Sequence, residues 1–421
     1  MIKLDNITKL YPPDVKALYK VNLHIKPGEF VSIVGQSGTG KTTLVKKLVS
    51  SLSARYVTLD DVTVQAAATS DPSGFVRGLG EKAAIDEIQK APNLFQALKV
   101  EVDHSRRPGR FLLTGSANVM LLPKVSESLA GRMEIVTLWP LSQGEILGRS
   151  ESFIDAVFAT NMTLPSFKKD EASELLQKML VGGYPEVLSR PAEKRREAWF
   201  NSYITTILQR DIRDISNIEG LTDMPRLLRL LAARTGGLLN MSELSRASAI
   251  PHTTLKRYLT LMEATFLLQP LPAWSANMSK RLIKSPKIYL VDSGIVSFLT
   301  GQTEKRLTED TTFIGHLLEN FVIAELRKQL SWARTRVFPF HFRTTTVHEV
   351  DILLEGADGQ IVGIEIKAAG SVGKKDFWGL EVLAEMVGTK FLRGIVLYNG
   401  NSAVSFGDRY HALPVSSLWM M

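Results

Sequence analysis

The stretch Phe30-Val31-Ser32-Ile33-Val34-Gly35-Gln36-Ser37-Gly38-Thr39-Gly40-Lys41-Thr42 decides how the rest of the chain is read. Its first half is a short continuous apolar run of the kind that fills a buried parallel strand. Its second half has the spacing of a P-loop, and a helical pattern begins at Lys41, so the strand, loop and helix that the motif requires occur in order. Gly35, Gly38 and Gly40 allow the backbone N–H groups of the loop, with those of Gln36, Ser37 and Thr39, to turn inward around phosphate. Lys41 is spaced to reach the β/γ-phosphates, the Thr42 hydroxyl to ligate Mg²⁺, and Thr43 completes the nucleotide-binding set. The expected ligands are therefore ATP and Mg.

Working outward, segments 2–11 and 18–26 alternate like half-buried strands, separated by Pro12-Pro13-Asp14, and Pro27-Gly28 turns the chain into the P-loop strand. Downstream, buried strands are expected at 56–59, 83–85, 111–114 and 135–138 with helical stretches between them, which makes an α/β parallel sheet. From about 150 to 272 the apolar period becomes 3.6, as in Leu227, Leu228, Leu230, Leu231 and again in Leu255, Tyr258, Leu259, Met262. After Pro272 strands return at 288–291, 350–353 and 361–366, with a helix near 315–330. The expected organisation is a P-loop core over 1–145, a helical lid over 146–225, a helical module over 226–272 and a second α/β domain over 273–421.

Composition narrows the function classes. The absence of cysteine excludes disulfides, thiolate metal sites and a thiol nucleophile. No apolar run reaches the roughly 18 residues that a membrane span needs, and charges interrupt Met1-Ile2-Lys3-Leu4-Asp5 before a signal-peptide core can form. A soluble, cytoplasmic protein without membrane insertion is expected. Between Arg190 and Leu290 there are 16 Lys and Arg against 8 Asp and Glu, so this window alone carries the whole net charge of +8. A polyanionic partner would meet the helical middle.

A P-loop also needs an acidic residue at the end of a neighbouring strand and a base for the attacking water. Ala83-Ala84-Ile85-Asp86-Glu87 offers both, with Asp86 for the metal and Glu87 for the water. Residues 1–49 resemble the ATPase subunits of ABC transporters, in Ile2-Lys3-Leu4, in Ile25-Lys26-Pro27-Gly28-Glu29 and in Tyr11, which that resemblance makes an adenine-stacking aromatic. An ABC ATPase inserts a helical subdomain with an LSGGQ signature before its acidic strand. Only 45 positions separate Lys41 from Asp86, which leaves no room for it, and Leu141-Ser142-Gln143-Gly144-Glu145 falls on the wrong side of that strand.

From about Tyr56 onward the chain resembles a prokaryotic family of AAA-type ATPases with a C-terminal domain of restriction-endonuclease-like fold. The resemblance rests on Tyr56-Val57-Thr58-Leu59-Asp60-Asp61, Ile85-Asp86-Glu87-Ile88-Gln89-Lys90-Ala91-Pro92, Leu112-Leu113-Thr114-Gly115-Ser116-Ala117, Leu129-Ala130-Gly131-Arg132, Trp139-Pro140-Leu141-Ser142 and Gly182-Gly183-Tyr184-Pro185. It implies that the strand between the P-loop strand and the acidic strand ends in a polar sensor, here Ser116 or Asn118. It also implies that Arg132 is an arginine finger offered to a neighbouring subunit, and hence a homo-oligomer.

The same resemblance makes 226–272 a winged helix, with Thr253, Thr254, Lys256 and Arg257 at the start of a recognition helix and double-stranded DNA as the partner. In the last domain Glu319, Asp351, Glu365 and Lys367 resemble the PD-(D/E)xK nuclease core, in which the carboxylates hold Mg²⁺ and the lysine assists with charge. Glu365 and Lys367, two apart on a strand, should face the same way. The function implied is an ATPase that couples nucleotide state to a DNA-binding, nuclease-like C-terminal region. An ABC-transporter ATPase and a nucleotide-gated protein-interaction module are the alternatives.

Overall fold

Alternation along the P-loop strand sets the layers of the ATPase region. In the computed structural model β3 (Phe30–Val34) turns Val31 and Ile33 toward the helix Lys41–Leu52, where they pack with Leu44, Val45 and Leu48, and Val34 toward the opposite face. That second face holds Leu59, Ile85, Phe95, Leu98, Phe111 and Leu113. With both faces covered, the strands Phe30–Val34, Ala83–Asp86 and Phe111–Gly115 are apolar along most of their length. The residues described are 2–11, 15–25, 30–104, 109–116, 133–164, 174–212, 221–277, 279, 281, 284–344 and 348–421, with side chains from residue 31 onward, Leu221 apart.

The chain divides into two compact units, one comprising Met1–Leu141, Tyr184–Thr222 and Arg257–Leu267, the other Ser142–Gly183, Asp223–Lys256 and Leu268–Met421. This interleaved division differs from four consecutive domains. The stretch 146–225 is shared out, because Tyr184–Thr222 gathers with the P-loop sheet and Ser142–Gly183 with the C-terminal region.

In the first unit, β1 (Ile2–Tyr11) and β2 (Val15–Ile25) form an antiparallel hairpin, paired from Ile2 with Ile25 to Tyr11 with Val15. The five-stranded parallel sheet comprises β3 with β4 (Arg55–Thr58), β5 (Ala83–Asp86), β6 (Phe111–Gly115) and β7 (Met133–Thr137), in the order β4-β5-β6-β3-β7. β6 therefore lies between the P-loop strand and the strand that ends in Asp86. The helix Glu193–Thr206 passes into one π turn, Ile207–Asp211.

The second unit pairs β8 (Leu268–Leu271) antiparallel with β9 (Lys287–Leu290) and builds a six-stranded sheet from β10 (Val337–Arg343), β11 (Glu349–Gly356), β12 (Ile361–Lys367), β13 (Phe391–Tyr398), β14 (Val404–Ser405) and β15 (Tyr410–Pro414). Its order is β10-β11-β12-β13-β15-β14, and the helix Trp378–Val387 makes the crossover between parallel β12 and β13. Leu380 and Leu383 of that helix sit so close over Gly363 that a Cβ there would come within 2.6 Å of Leu380. Among the described residues no helix is long and apolar enough to cross a membrane.

Gly35 closes the P-loop strand at φ +152°, and a Cβ on it would stand 2.2 Å from the Leu138 carbonyl oxygen, on the stretch whose Leu138 N–H bonds the Val34 carbonyl at 2.7 Å. Gly35→Ala must therefore part β3 from β7. Urea unfolding should show a loss of roughly 2 kcal/mol or more; unchanged stability would mean that the contact gives way freely.

Candidate functional site

The P-loop closes on itself through its own polar groups. Gly38 and Gly40 take φ of +83° and +94°, conformations open to glycine, and Gly40 caps the helix that begins at Lys41. Lys41 Nζ donates to the carbonyls of Gly35 at 2.6 Å and Gln36 at 2.7 Å. Burial lowers the lysine pKa to about 8, opposed by the negative charges of Glu87, Asp211 and Asp86. An ammonium so poorly solvated gains strongly from an incoming phosphate. Thr43 is half-buried on the helix behind it.

Asp86 is the point on which the sheet's polar groups converge. Its carboxylate accepts from the Thr42 hydroxyl at 3.1 Å, from the Tyr56 hydroxyl at 2.6 Å and from the Thr114 hydroxyl. Four elements thus meet at one carboxylate: the P-loop helix, β4, β5 and β6. Burial first, then the bond to Asp86, raises the pKa of Tyr56 and keeps the phenol a donor. Thr42 and Asp86, two hard oxygen donors side by side at the phosphate loop, fit an octahedral Mg²⁺ that keeps several waters.

Glu87 follows in a left-handed conformation, φ +59°, which turns the chain sharply out of β5. Its N–H donates to Thr114 Oγ1 at 3.3 Å, and its carboxylate accepts from Gln89 Nε2, which also donates to Ser116 Oγ at 2.9 Å. Burial raises the Glu87 pKa, while Gln89 and Lys41 oppose the rise. A non-glycine residue in this region costs on the order of 1–3 kcal/mol and marks a position held by its surroundings. Ser116 is buried at the end of β6. Gln89 and Tyr56 were within the stretches quoted from the sequence, but neither showed its role there, because a bond across strands has no signature along the chain.

The segment Tyr184–Ile212 covers the loop from the other side. The Tyr184 hydroxyl donates to Gln36 Oε1, Tyr203 donates to Tyr184 at 3.1 Å, and Ser37 Oγ donates to Asp211 at 3.0 Å. Trp199 and Tyr203 stack at 4.5 Å beside Gly38. Arg132 and Asn118 lie outside the described residues, as does the Tyr11 side chain.

In the second unit a cavity of about 600 Å³ brings Glu319, Asp351, Glu365 and Lys367 together. The helix Ile314–Leu330 is fixed there by buried Asn320, which accepts from Leu290 N–H at 2.9 Å and from Thr235 at 2.6 Å, and donates to the Leu290 carbonyl at 3.1 Å. What the sequence did not show is Lys287. Its ammonium, buried on β9, contacts Glu319 at 2.8 Å, Glu349 at 2.6 Å and Asp351 at 3.2 Å.

Tyr289 donates to Glu319 at 2.5 Å and the Ile366 N–H to Asp351 at 3.0 Å, while Lys367 stands 3.6 Å from Glu365. Glu319 and Asp351 thus share the Lys287 ammonium, with the Tyr289 phenol and the Ile366 amide as further donors. This donor set does not fit the metal site expected of Glu319, Asp351 and Glu365, and among the described residues no group of three or more His, Asp or Glu side chains is arranged to hold a metal.

A parallel sheet in this order, a glycine-built phosphate loop and an acidic strand end facing its threonine define a P-loop protein of AAA type that binds and hydrolyses ATP. Residues 28–147 match the AAA domain, residues 172–306 a domain of unknown function (DUF8612) and residues 314–418 a second (DUF4143). Uncharacterized protein Rv2008c of Mycobacterium tuberculosis is 30% identical over 408 residues, covering 96% of this chain and 84% of its own length. The chain therefore belongs to the family of that mycobacterial protein.

The phosphonates import ATP-binding protein PhnC of Lactococcus lactis is 54% identical over 46 residues, 11% of this chain and 19% of its own. The ABC likeness is thus confined to a short segment, whereas the family match runs almost from end to end. The Thermotoga maritima RuvB Holliday junction branch migration motor aligns at 18% identity and a TM-score of 0.26, covering 58% of this chain and 82% of its own.

Burial, then repulsion from Asp351, pushes the Glu319 carboxyl up to about 7 from its ordinary 4.5, with Lys287 opposing. Between those values the folded chain keeps a proton that the unfolded chain has released, so stability falls as pH rises through this window. Urea unfolding at several pH values should show Glu319→Gln flattening the fall by about 1–3 kcal/mol. A slope that is the same in both proteins would contradict this electrostatic reading.

Proposed function

We propose that this chain is an Mg²⁺-dependent AAA-type ATPase whose nucleotide state governs DNA binding by its helical middle and nuclease-like C-terminal region. The observation that carries the first part is the Asp86 carboxylate held 3.1 Å from the Thr42 hydroxyl at the mouth of the phosphate loop. Thr42 and Asp86 would hold Mg²⁺, which neutralises charge on the transferring phosphoryl group. Lys41 and the loop N–H groups bind the phosphates. Glu87 orients the attacking water and takes its proton, Gln89 fixes the carboxylate of Glu87, and Ser116 senses the γ-phosphate through the same amide. Arg132 would act in trans in a homo-oligomer. Lys41→Ala should abolish tight ATP binding, whereas Glu87→Gln should keep binding and lose at least about a hundredfold in phosphate release; normal turnover in the Glu87 variant would remove it from the mechanism.

Two features support the DNA part. The helices Met224–Ala233, Met241–Ser248 and His252–Ala264 precede the antiparallel pair β8–β9, the element order of a winged helix, and Lys256 and Arg257 are exposed on the third helix. The C-terminal cavity brings the nuclease-like residues together, but Lys287 lies against Glu319 and Asp351, so the fold is read as retained for binding rather than cleavage. Duplex DNA affinity should fall steeply with salt as counterions are released, and charge reversal at Lys256 and Arg257 should weaken it. Affinity that is flat with salt would favour a protein partner, and cleavage in Mg²⁺ or Mn²⁺ that Asp351→Ala abolishes would overturn the binding-only reading.

A further inference from the structure

The covering segment Tyr184–Ile212 brings a negative charge to a loop built for anions. Asp211, the last residue of the π turn, is buried, and its carboxylate accepts from Ser37 in the middle of the loop at 3.0 Å. The turn is anchored one residue earlier, where Arg210 pairs with Asp60 at 3.0 Å, and Asp60 also pairs with Lys90 at 2.5 Å. Trp199 and Tyr203 flank Gly38, so that a Cβ there would lie 3.4 Å from each ring. Tyr203 is buried and Trp199 half-buried, so the rings exclude part of the water on this side of the loop although Gly38 itself stays exposed, and screening between neighbouring charges falls accordingly. Asp211 is also among the carboxylates whose field reaches the Lys41 ammonium. A π turn re-aims side chains relative to a regular helix, and such turns occur often at functional sites.

We infer that Asp211 is a charge gate on the phosphate loop, a residue that sets the affinity and phosphate-length preference of the nucleotide site by opposing the terminal phosphate. It competes with that phosphate for Ser37 and Lys41 and adds like-charge repulsion. A triphosphate must therefore displace the Asp211 turn, whereas a diphosphate meets less of its field. The gate rests on the loop binding ATP, and the test below separates failure of one from failure of the other.

The experiment is nucleotide titration of the full chain with fluorescent ATP and ADP analogues, in wild type, Asp211→Asn and Ser37→Ala. The asparagine can still accept from Ser37 but carries no charge. ATP should bind Asp211→Asn at least about tenfold more tightly, with a smaller gain for ADP. An unchanged or weaker ATP affinity would make Asp211 a holding group and overturn the gate, and equal gains for both nucleotides would mean a loosened cover and overturn it too.

Should Asp211→Asn fail to fold, Ser37→Ala decides. Without the hydroxyl the carboxylate loses its bond to the loop, so ATP affinity should rise relative to ADP, and no change in that ratio would reject the gate. If neither nucleotide binds wild type or any variant, ATP binding itself fails and the gate falls with it.

Discussion

The carboxylate of Asp86 holds the catalytic unit together. Three hydroxyls donate to it, from the P-loop helix, from β4 and from β6, and each arrives from an element that the apolar alternation of the sheet has already placed. A buried carboxylate without such donors would cost several kcal/mol or take up a proton. With them it is held beside Thr42 at the phosphate loop. The left-handed turn at Glu87 follows directly, because its N–H meets the same Thr114 hydroxyl that donates to Asp86. The threonine, placed by β6 between β3 and β5, ties the Asp86 carboxylate to the backbone of Glu87.

Both units solve the problem of buried charge by internal pairing, with opposite sign. Around the phosphate loop burial pushes Lys41 down to about 8 against the opposing field of Glu87, Asp211 and Asp86, so its ammonium is poorly solvated and gains from a phosphate beside it. In the C-terminal cavity Lys287 is surrounded by Glu319, Glu349 and Asp351, whose field outweighs its burial and raises its pKa. The first arrangement invites an anion. The second sets one ammonium against several carboxylates that still repel one another, Glu319 and Asp351 among them.

Much of the ATPase unit was legible along the chain. The apolar run before Gly35 and the glycine spacing gave the strand and loop, and β5 with its Asp86-Glu87 end stood out because a buried parallel strand is almost wholly apolar. β13 was not anticipated: Arg393 and Gly394 interrupt its apolar run, and only the structure shows Gly394 lying 3.2 Å, by its Cβ position, from Leu380 of the crossover helix. β10 was missed because Pro339 and His341 break its alternation. Gln89, Tyr56 and Asp211 act across strands or from a distant helix, and Lys287 sits on a strand that reads as ordinary. No local pattern marks a side chain whose partner lies 27 or more positions away, as Ser116 does from Gln89.

If Asp86 and Thr42 form the metal side of the nucleotide site, the benefit of Mg²⁺ to ATP binding must depend on them. The direct measurement is calorimetric titration of ATP into wild type and Asp86→Asn, with Mg²⁺ and with chelator. Wild type should bind ATP more tightly when Mg²⁺ is present, while Asp86→Asn should bind it with the same affinity in both conditions. An Asp86→Asn protein that gains as much from Mg²⁺ as wild type would contradict the account.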